Sequence, residues 1–246
     1  MTRTEPIRPD WPVPGRVRAF ATTRAGGFSW GDWAGLNLAL HVGDDPEHVV
    51  ANRARLREAL ALPAEPLWLS QVHGCSVADA GRDLAGCEAD AAFAYTPGQV
   101  CAVLTADCLP VLFADREGVA VAAAHAGWRG LAGGVLEATL ARFDDPGRVI
   151  AWLGPAIGPL AFEVGEEVRE AFLAVDPLAA EAFVQHGERW RADLYRLARL
   201  RLEVAGIGEV YGGGRCTYSE PQHFYSYRRD GRTGRQASLI WLEETA

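Results

Sequence analysis

Three residues could share one piece of chemistry: His73 in "WLSQVHG", Cys108 in "VLTADCLPVL" and His125 in "VAAAHAGWRG". Each sits where a run of small or apolar residues gives way to a turn. Two imidazoles and a thiolate suit a zinc ion, and a catalytic zinc commonly takes three protein ligands and leaves one position for water. Such a metal can lower the pKa of its bound water to about 7. The separations, 35 residues from 73 to 108 and 17 from 108 to 125, match no short metal motif. Singly, each residue has a plainer reading: a hydrogen-bonded structural histidine, or a buried cysteine acting as a small inert hydrophobe. A Cys108–His125 nucleophilic pair is a further alternative. The shared strand-end context is what makes the three a candidate set. Cys75, His41 and His223 are rival or neighbouring donors.

Stepping outward from these residues, the elements that must hold them read as alternating strands and helices. "WLSQVHG" reads as a strand ending near His73. "GQVCAVLTADCLPVLFAD" reads as two apolar strands broken around 106–110, and "GVAVAAAHA" as a buried strand followed by a helix over "LAGGVLEATLARF". "DDPEHVVANRARLREALAL" carries an aspartate and proline at its start and apolar residues at helical spacing. "RADLYRLARLRLEVAGI" is an amphipathic helix stopped by Gly206. "VRAFATT" and "LNLALHV" read as strands, and the tail "QHFYSYRRDGRTGRQASLIWLEE" as two strands around an Arg/Gly turn. There is no internal repeat and no linker. These elements predict one α/β or α+β domain over residues 1–246, and the reading adopted is α+β, with mixed sheets flanked by helices.

Composition narrows the chemistry. The chain has 246 residues and 49% hydrophobic content, enough for a sizeable core, and a net charge of −8 without a basic stripe. That balance disfavours nucleic acid and anionic membranes as partners. All 24 basic residues are arginine. Schiff-base chemistry, pyridoxal phosphate anchoring and a P-loop each need a lysine, so all three are excluded. A phosphate group must be held by arginine or by backbone N–H groups. Blue copper is disfavoured because the one methionine is Met1, and a zinc deaminase of the P-C-x-x-C type because that motif does not occur. There is no nucleophile elbow and no dinucleotide fingerprint. The opening residues lack the apolar region of a signal peptide, and the five cysteines form no C-x-x-C pair; both point to the cytoplasm. Asp107, beside Cys108, is a candidate to orient a ligating histidine or to act as general acid or base. Arg24, Arg53, Arg129, Arg228, Arg229 and Arg235 are candidate anion contacts, with surface charge the plainer reading for most of them.

The segments "TTRAGGFS", "LNLALHVGDD", "NRARL", "QVHG", "TADCLPVL", "AAHAGWRG", "GPAIGP…FEVG", "DL", "CT" and "SYRRDG…GR" occur in this order over about residues 18–242. Together they closely resemble the laccase-domain family, also called polyphenol-oxidase-like, purine nucleoside phosphorylase or peptidoglycan editing factor proteins. The resemblance implies a zinc site at His73, Cys108 and His125 and a fold with two mixed sheets between helical layers, four layers αββα. It also implies phosphorolysis of adenosine, inosine, guanosine and methylthioadenosine, and deamination of adenosine. The expected partners are purine nucleosides and phosphate, handled by a monomer. The expected catalytic set is His73, Cys108, His125 and Asp107, and the expected substrate contacts are Asn37, Arg53, Arg129 and Arg228. A hydrolase editing a cell-wall precursor and a non-catalytic zinc-stabilised protein are the alternatives. A multicopper oxidase would need H-x-H units, and the six histidines here form none.

Overall fold

The computed structural model describes residues 4–244. Along the chain run β1 (Val17–Ala21), α1 (Pro46–Leu60), β2 (Val77–Asp79), β3 (Ala91–Ala94), β4 (Val100–Thr105), β5 (Leu109–Asp115) and β6 (Val121–Ala126). Then come α2 (Trp128–Gly133), α3 (Val135–Leu140), β7 (Val149–Leu153), β8 (Glu163–Val164), α4 (Glu166–Leu173), β9 (Phe183–His186) and β10 (Arg189–Ala192). The described elements close with α5 (Leu194–Val204), β11 (Val210–Gly212), α6 (Tyr227–Asp230) and β12 (Gln236–Leu242).

Two main sheets stack, one of six strands in the order β11-β7-β5-β6-β3-β2 and one of three in the order β1-β12-β4. Strand periodicity explains the layering, because successive side chains point to opposite faces. In β5, Leu112 and Ala114 pack with Val103 and Ile240 of the smaller sheet, while Val111 and Phe113 pack with Leu131, Leu136 and Leu197 from the helices. The outer face of the smaller sheet, Ala102, Leu104, Leu239 and Trp241, packs on Leu56 of α1. The result is the expected α+β stack of helix, sheet, sheet, helix. Both faces of β5 and β6 are covered, so these strands read as continuous apolar runs. A third small sheet, β8-β10-β9, lies outside this stack.

Helix α1 starts where the sequence indicates: the Asp45 carboxylate accepts the Glu47 amide at 2.9 Å, and Pro46 occupies the first turn. Several other expectations are corrected. Residues 67–73 are not a strand; Leu67 and Ser70 make only isolated bridges, and His73 has φ 62°. "LNLALHV" is an irregular segment ending in a short 3-10 turn, because Asn37 diverts the chain by bonding Ala39. The helix after β6 is broken at Gly134, whose φ of 100° ends α2 in a left-handed turn. In the tail only β12 is a strand; "SYRRD" forms α6 instead, capped by Ser226 accepting the Arg229 amide. The hairpin β9–β10 forms in a stretch whose polarity gave no apolar alternation to read.

Candidate metal centre and its cavity

Strand register brings the donors together. In the β5/β6 pair, Pro110 lies opposite His125, so Cys108 and His125 meet at one end of the large sheet. Cys108 follows the crossover from β4, in the small sheet, to β5, in the large one. Asp107 makes that crossover with φ 93°, a conformation a non-glycine residue adopts only when its surroundings hold it there. His73 arrives on the 71–74 loop. Gln71 fixes that loop by donating to the Leu104 carbonyl at 2.8 Å and accepting the Leu104 amide at 2.7 Å.

The ligand atoms of His73, Cys108 and His125 lie within 4.8 Å of one another. Cys108 Sγ is 3.9 Å from His73 Nε2. The donor set fits a metal ion, and a specific contact supports that fit. His125 Nδ1 lies 2.8 Å from Asp90 Oδ1, which leaves Nε2 as the free nitrogen. Asp90 also accepts the backbone amides of Val72, His73 and Gly74, the last at 2.6 Å. One fully buried carboxylate therefore orients His125 and shapes the loop carrying His73. A Cβ at Gly127 would sit 2.9 Å from His73 Cδ2 and 3.1 Å from Cys108 Sγ, so only glycine leaves the donors room.

Electrostatics within the trio follow from this packing. Burial opposes the Cys108 thiolate, but the charge and hydrogen bond of His125, with those of His73, outweigh it and bring the thiol down to about 6. Burial likewise opposes the His125 imidazolium; Cys108 and Asp90 overcome it and push His125 up to about 9. Burial also works against the Asp90 carboxylate, yet His125 and the Gly74 amide hold it below its usual range. A pre-formed thiolate is the form in which cysteine binds metal.

The trio opens into a cavity of about 270 Å³, also lined by His41, Thr105, Tyr227 and Arg235. The other expected site residues lie elsewhere. Asp107 accepts the Thr217 hydroxyl and the Arg228 amide, both at 2.6 Å, and is not part of the lining; the carboxylate that orients a histidine is Asp90. Asn37 is fully buried, and its bonds go to Ala39, Asp44 and the Arg235 amide. Arg53 donates to the Leu38 carbonyl and stacks over Trp68 at 4.2 Å. Arg129 is exposed and lies over the Trp128 ring. Arg228 bonds the Glu163 carbonyl and lines a different cavity, with Cys216 and Tyr218. Arg235 is the arginine that faces the donors. Asp90 was missed because an aspartate ahead of "AAFA" carries no motif; a lone acid leading an apolar strand is the only signal available.

Fold and donor set define an α+β protein with a His₂Cys group at the end of its central sheet that could bind a metal ion. The chain belongs to the family described as multi-copper polyphenol oxidoreductase laccase, whose model matches residues 18–243. Purine nucleoside phosphorylase YfiH of Escherichia coli (strain K12) is 58% identical over 238 residues, covering 96% of this chain and 98% of that protein. Purine nucleoside phosphorylase PA4543 of Pseudomonas aeruginosa is 56% identical over 243 residues, covering 97% and 98%. The crystal structure of Neisseria meningitidis protein NMB0706 superposes with a TM-score of 0.94 at 52% identity, covering 97% of this chain and 99% of that one. That of YlmD from Geobacillus stearothermophilus gives 0.84 at 31% identity, covering 94% and 93%. Among the described residues the trio is the one group of three or more histidine, cysteine or acidic side chains placed to hold a metal.

Proposed function

We propose that this chain is a zinc-dependent purine nucleoside phosphorylase, acting on adenosine, inosine, guanosine and methylthioadenosine and also deaminating adenosine. The observation that carries this reading is the convergence of two imidazoles and a thiolate on one cavity with an arginine and a tyrosine. The names of relatives as much as 58% identical over nearly the whole chain support the substrate class. His73, Cys108 and His125 would hold zinc, which would supply Lewis acidity when bound. Asp90 keeps the proton of His125 on Nδ1. Tyr227, exposed at the cavity, offers an aromatic face for a purine.

In phosphorolysis, a phosphate oxygen bonds to ribose C1′ as the C1′–N9 bond breaks. The electron pair passes to the purine, which takes up a proton and leaves as free base. In deamination, water adds at C6 of adenine and ammonia departs. The five unpaired cysteines are in keeping with a cytoplasmic enzyme. No helix among the described residues is long and apolar enough to cross a membrane.

The test is incubation of zinc-replete protein with adenosine or inosine, with and without phosphate, before and after chelation. Free base and ribose 1-phosphate should form only with phosphate, and chelation should abolish turnover. No turnover of any purine nucleoside would overturn the reading. Release of an amino acid from a cell-wall precursor in its place would point to amide hydrolysis.

A further inference from the structure

Of the arginines the sequence offered as anion contacts, Arg235 is the one that lines the cavity of the metal donors. Phosphorolysis needs an oxyanion within bonding reach of the ribose, so its holder must line the cavity that contains the metal donors. Arg53, Arg129 and Arg228 do not, and Arg235 does. Arg235 lies immediately before β12. Its amide is held by Asn37 Oδ1 at 2.9 Å, and its Nη1 donates to the Thr233 and Gly234 carbonyls at 3.0 Å each. It makes no direct ion pair with a carboxylate among the described residues; burial weighs against its charge, with Cys108, Asp107 and Tyr227 acting in the opposite sense. A partly buried guanidinium without a carboxylate partner is an electrostatic vacancy for an anion.

Two further observations point to the same place. Thr105 ends β4 and pairs in register with Gln236, the neighbour of Arg235. It is 2% exposed, lines the cavity, and its hydroxyl has no hydrogen-bond partner. Buried hydroxyls are almost always satisfied, so an orphan beside a cation marks a place for a ligand oxygen. His41 lines the same cavity; burial first, then Arg235 and Arg53, hold its imidazole below the ordinary value, so it stays neutral and offers one N–H. A second cavity of about 370 Å³ shares His41, Tyr227 and Arg235 with the first and adds Thr233, whose hydroxyl is also buried without a partner. Arg235 thus stands in the wall between two hollows, each with an unsatisfied hydroxyl.

We propose that Arg235, with the Thr105 hydroxyl and the His41 imidazole, forms the subsite that binds inorganic phosphate beside the metal centre. This rests on the phosphorylase reading, and the test separates the two. Binding of inorganic phosphate is measured by equilibrium dialysis, without nucleoside, on zinc-loaded and chelated wild type, Arg235→Ala, Arg235→Lys and Thr105→Val. Loss of a charge-assisted pair of hydrogen bonds should weaken phosphate about tenfold to a hundredfold in Arg235→Ala, with partial recovery in Arg235→Lys. Thr105→Val, which removes a hydroxyl that the fold does not use, should weaken phosphate severalfold at unchanged Tm, and guards against misfolding of the arginine variants. The KM for phosphate should rise in parallel, with the KM for nucleoside little changed.

If phosphate binds wild type and Arg235→Ala equally, or binds neither, the subsite assignment falls, whatever the turnover. If phosphate binding depends on Arg235 but no ribose 1-phosphate forms, the subsite stands and the phosphorylase reading falls. Gain of Arg235-dependent affinity by adenosine 5′-phosphate over adenosine, without binding of inorganic phosphate, would overturn the proposal by showing a substrate phosphate to be the anion.

Discussion

Asp90 is the residue whose removal says most about the centre. Its carboxylate is fully buried and takes four hydrogen bonds, from the amides of Val72 at 3.2 Å, His73 at 2.9 Å and Gly74 at 2.6 Å and from His125 Nδ1 at 2.8 Å. Asp90→Ala strands all four donors. The 72–74 loop is partly exposed, so water can serve some of its amides, but the His125 ring is 3% exposed and has no such relief. Breaking a buried charged pair from one side costs about 3–5 kcal/mol, and Asp90→Ala is expected to lose stability in that range. Asp90→Asn is the sharper probe. It keeps the volume and one acceptor oxygen, but it no longer compels the His125 proton to sit on Nδ1. If that proton moves to Nε2, the ligating nitrogen is blocked. Loss of a carboxylate behind a ligating histidine weakens metal about 10- to 100-fold, or about 1.4–2.7 kcal/mol. Competition with a chromophoric chelator gives the zinc affinity, and calorimetry gives the Tm. Wild-type zinc affinity in Asp90→Asn, with a lowered Tm, would refute the orienting role and leave Asp90 a purely structural brace.

Other consequences follow from the same geometry. Gly127 has φ −61°, which alanine adopts without strain, so Gly127→Ala should fold normally yet push against His73 and Cys108; a fall of about tenfold in zinc affinity is expected by the same chelator competition, and unchanged affinity would count against the packing argument. Because the Cys108 pKa is lowered, its thiolate should persist in metal-free protein as pH falls from 9 and disappear only near 6; the difference in absorbance at 240 nm between wild type and Cys108→Ala checks this, and a midpoint near 9 would contradict it. Arg129→Ala and Arg228→Ala should alter the KM for phosphate less than about twofold, since neither side chain reaches the cavity; steady-state kinetics at varied phosphate would show otherwise.

The sequence by itself determined the start of α1 and the fold class, and singled out the three candidate donors. His73, Cys108 and His125 stand out because each interrupts an apolar run, and α1 because Asp45 and Pro46 cap it through bonds between near neighbours. Those signals are local. The sheet face of each β5 residue is equally local, being set by alternation along the strand. What only the tertiary structure decided is which distant groups meet. Asp90 becomes the partner of His125 through the β3/β6 register, in which Ala91 lies opposite Ala124. Residues 71–74 stay out of a ladder because the amides of Val72, His73 and Gly74 are claimed by Asp90 and the Gln71 side chain is spent on Leu104. Among 24 arginines, side-chain type cannot distinguish the one that faces the metal donors. Arg235 is selected by Asn37, nearly two hundred residues away in the chain, which grips its amide at the start of β12. Cross-strand pairing and the grip of buried polar side chains on distant backbone act between residues remote in the chain, so no window of sequence displays them.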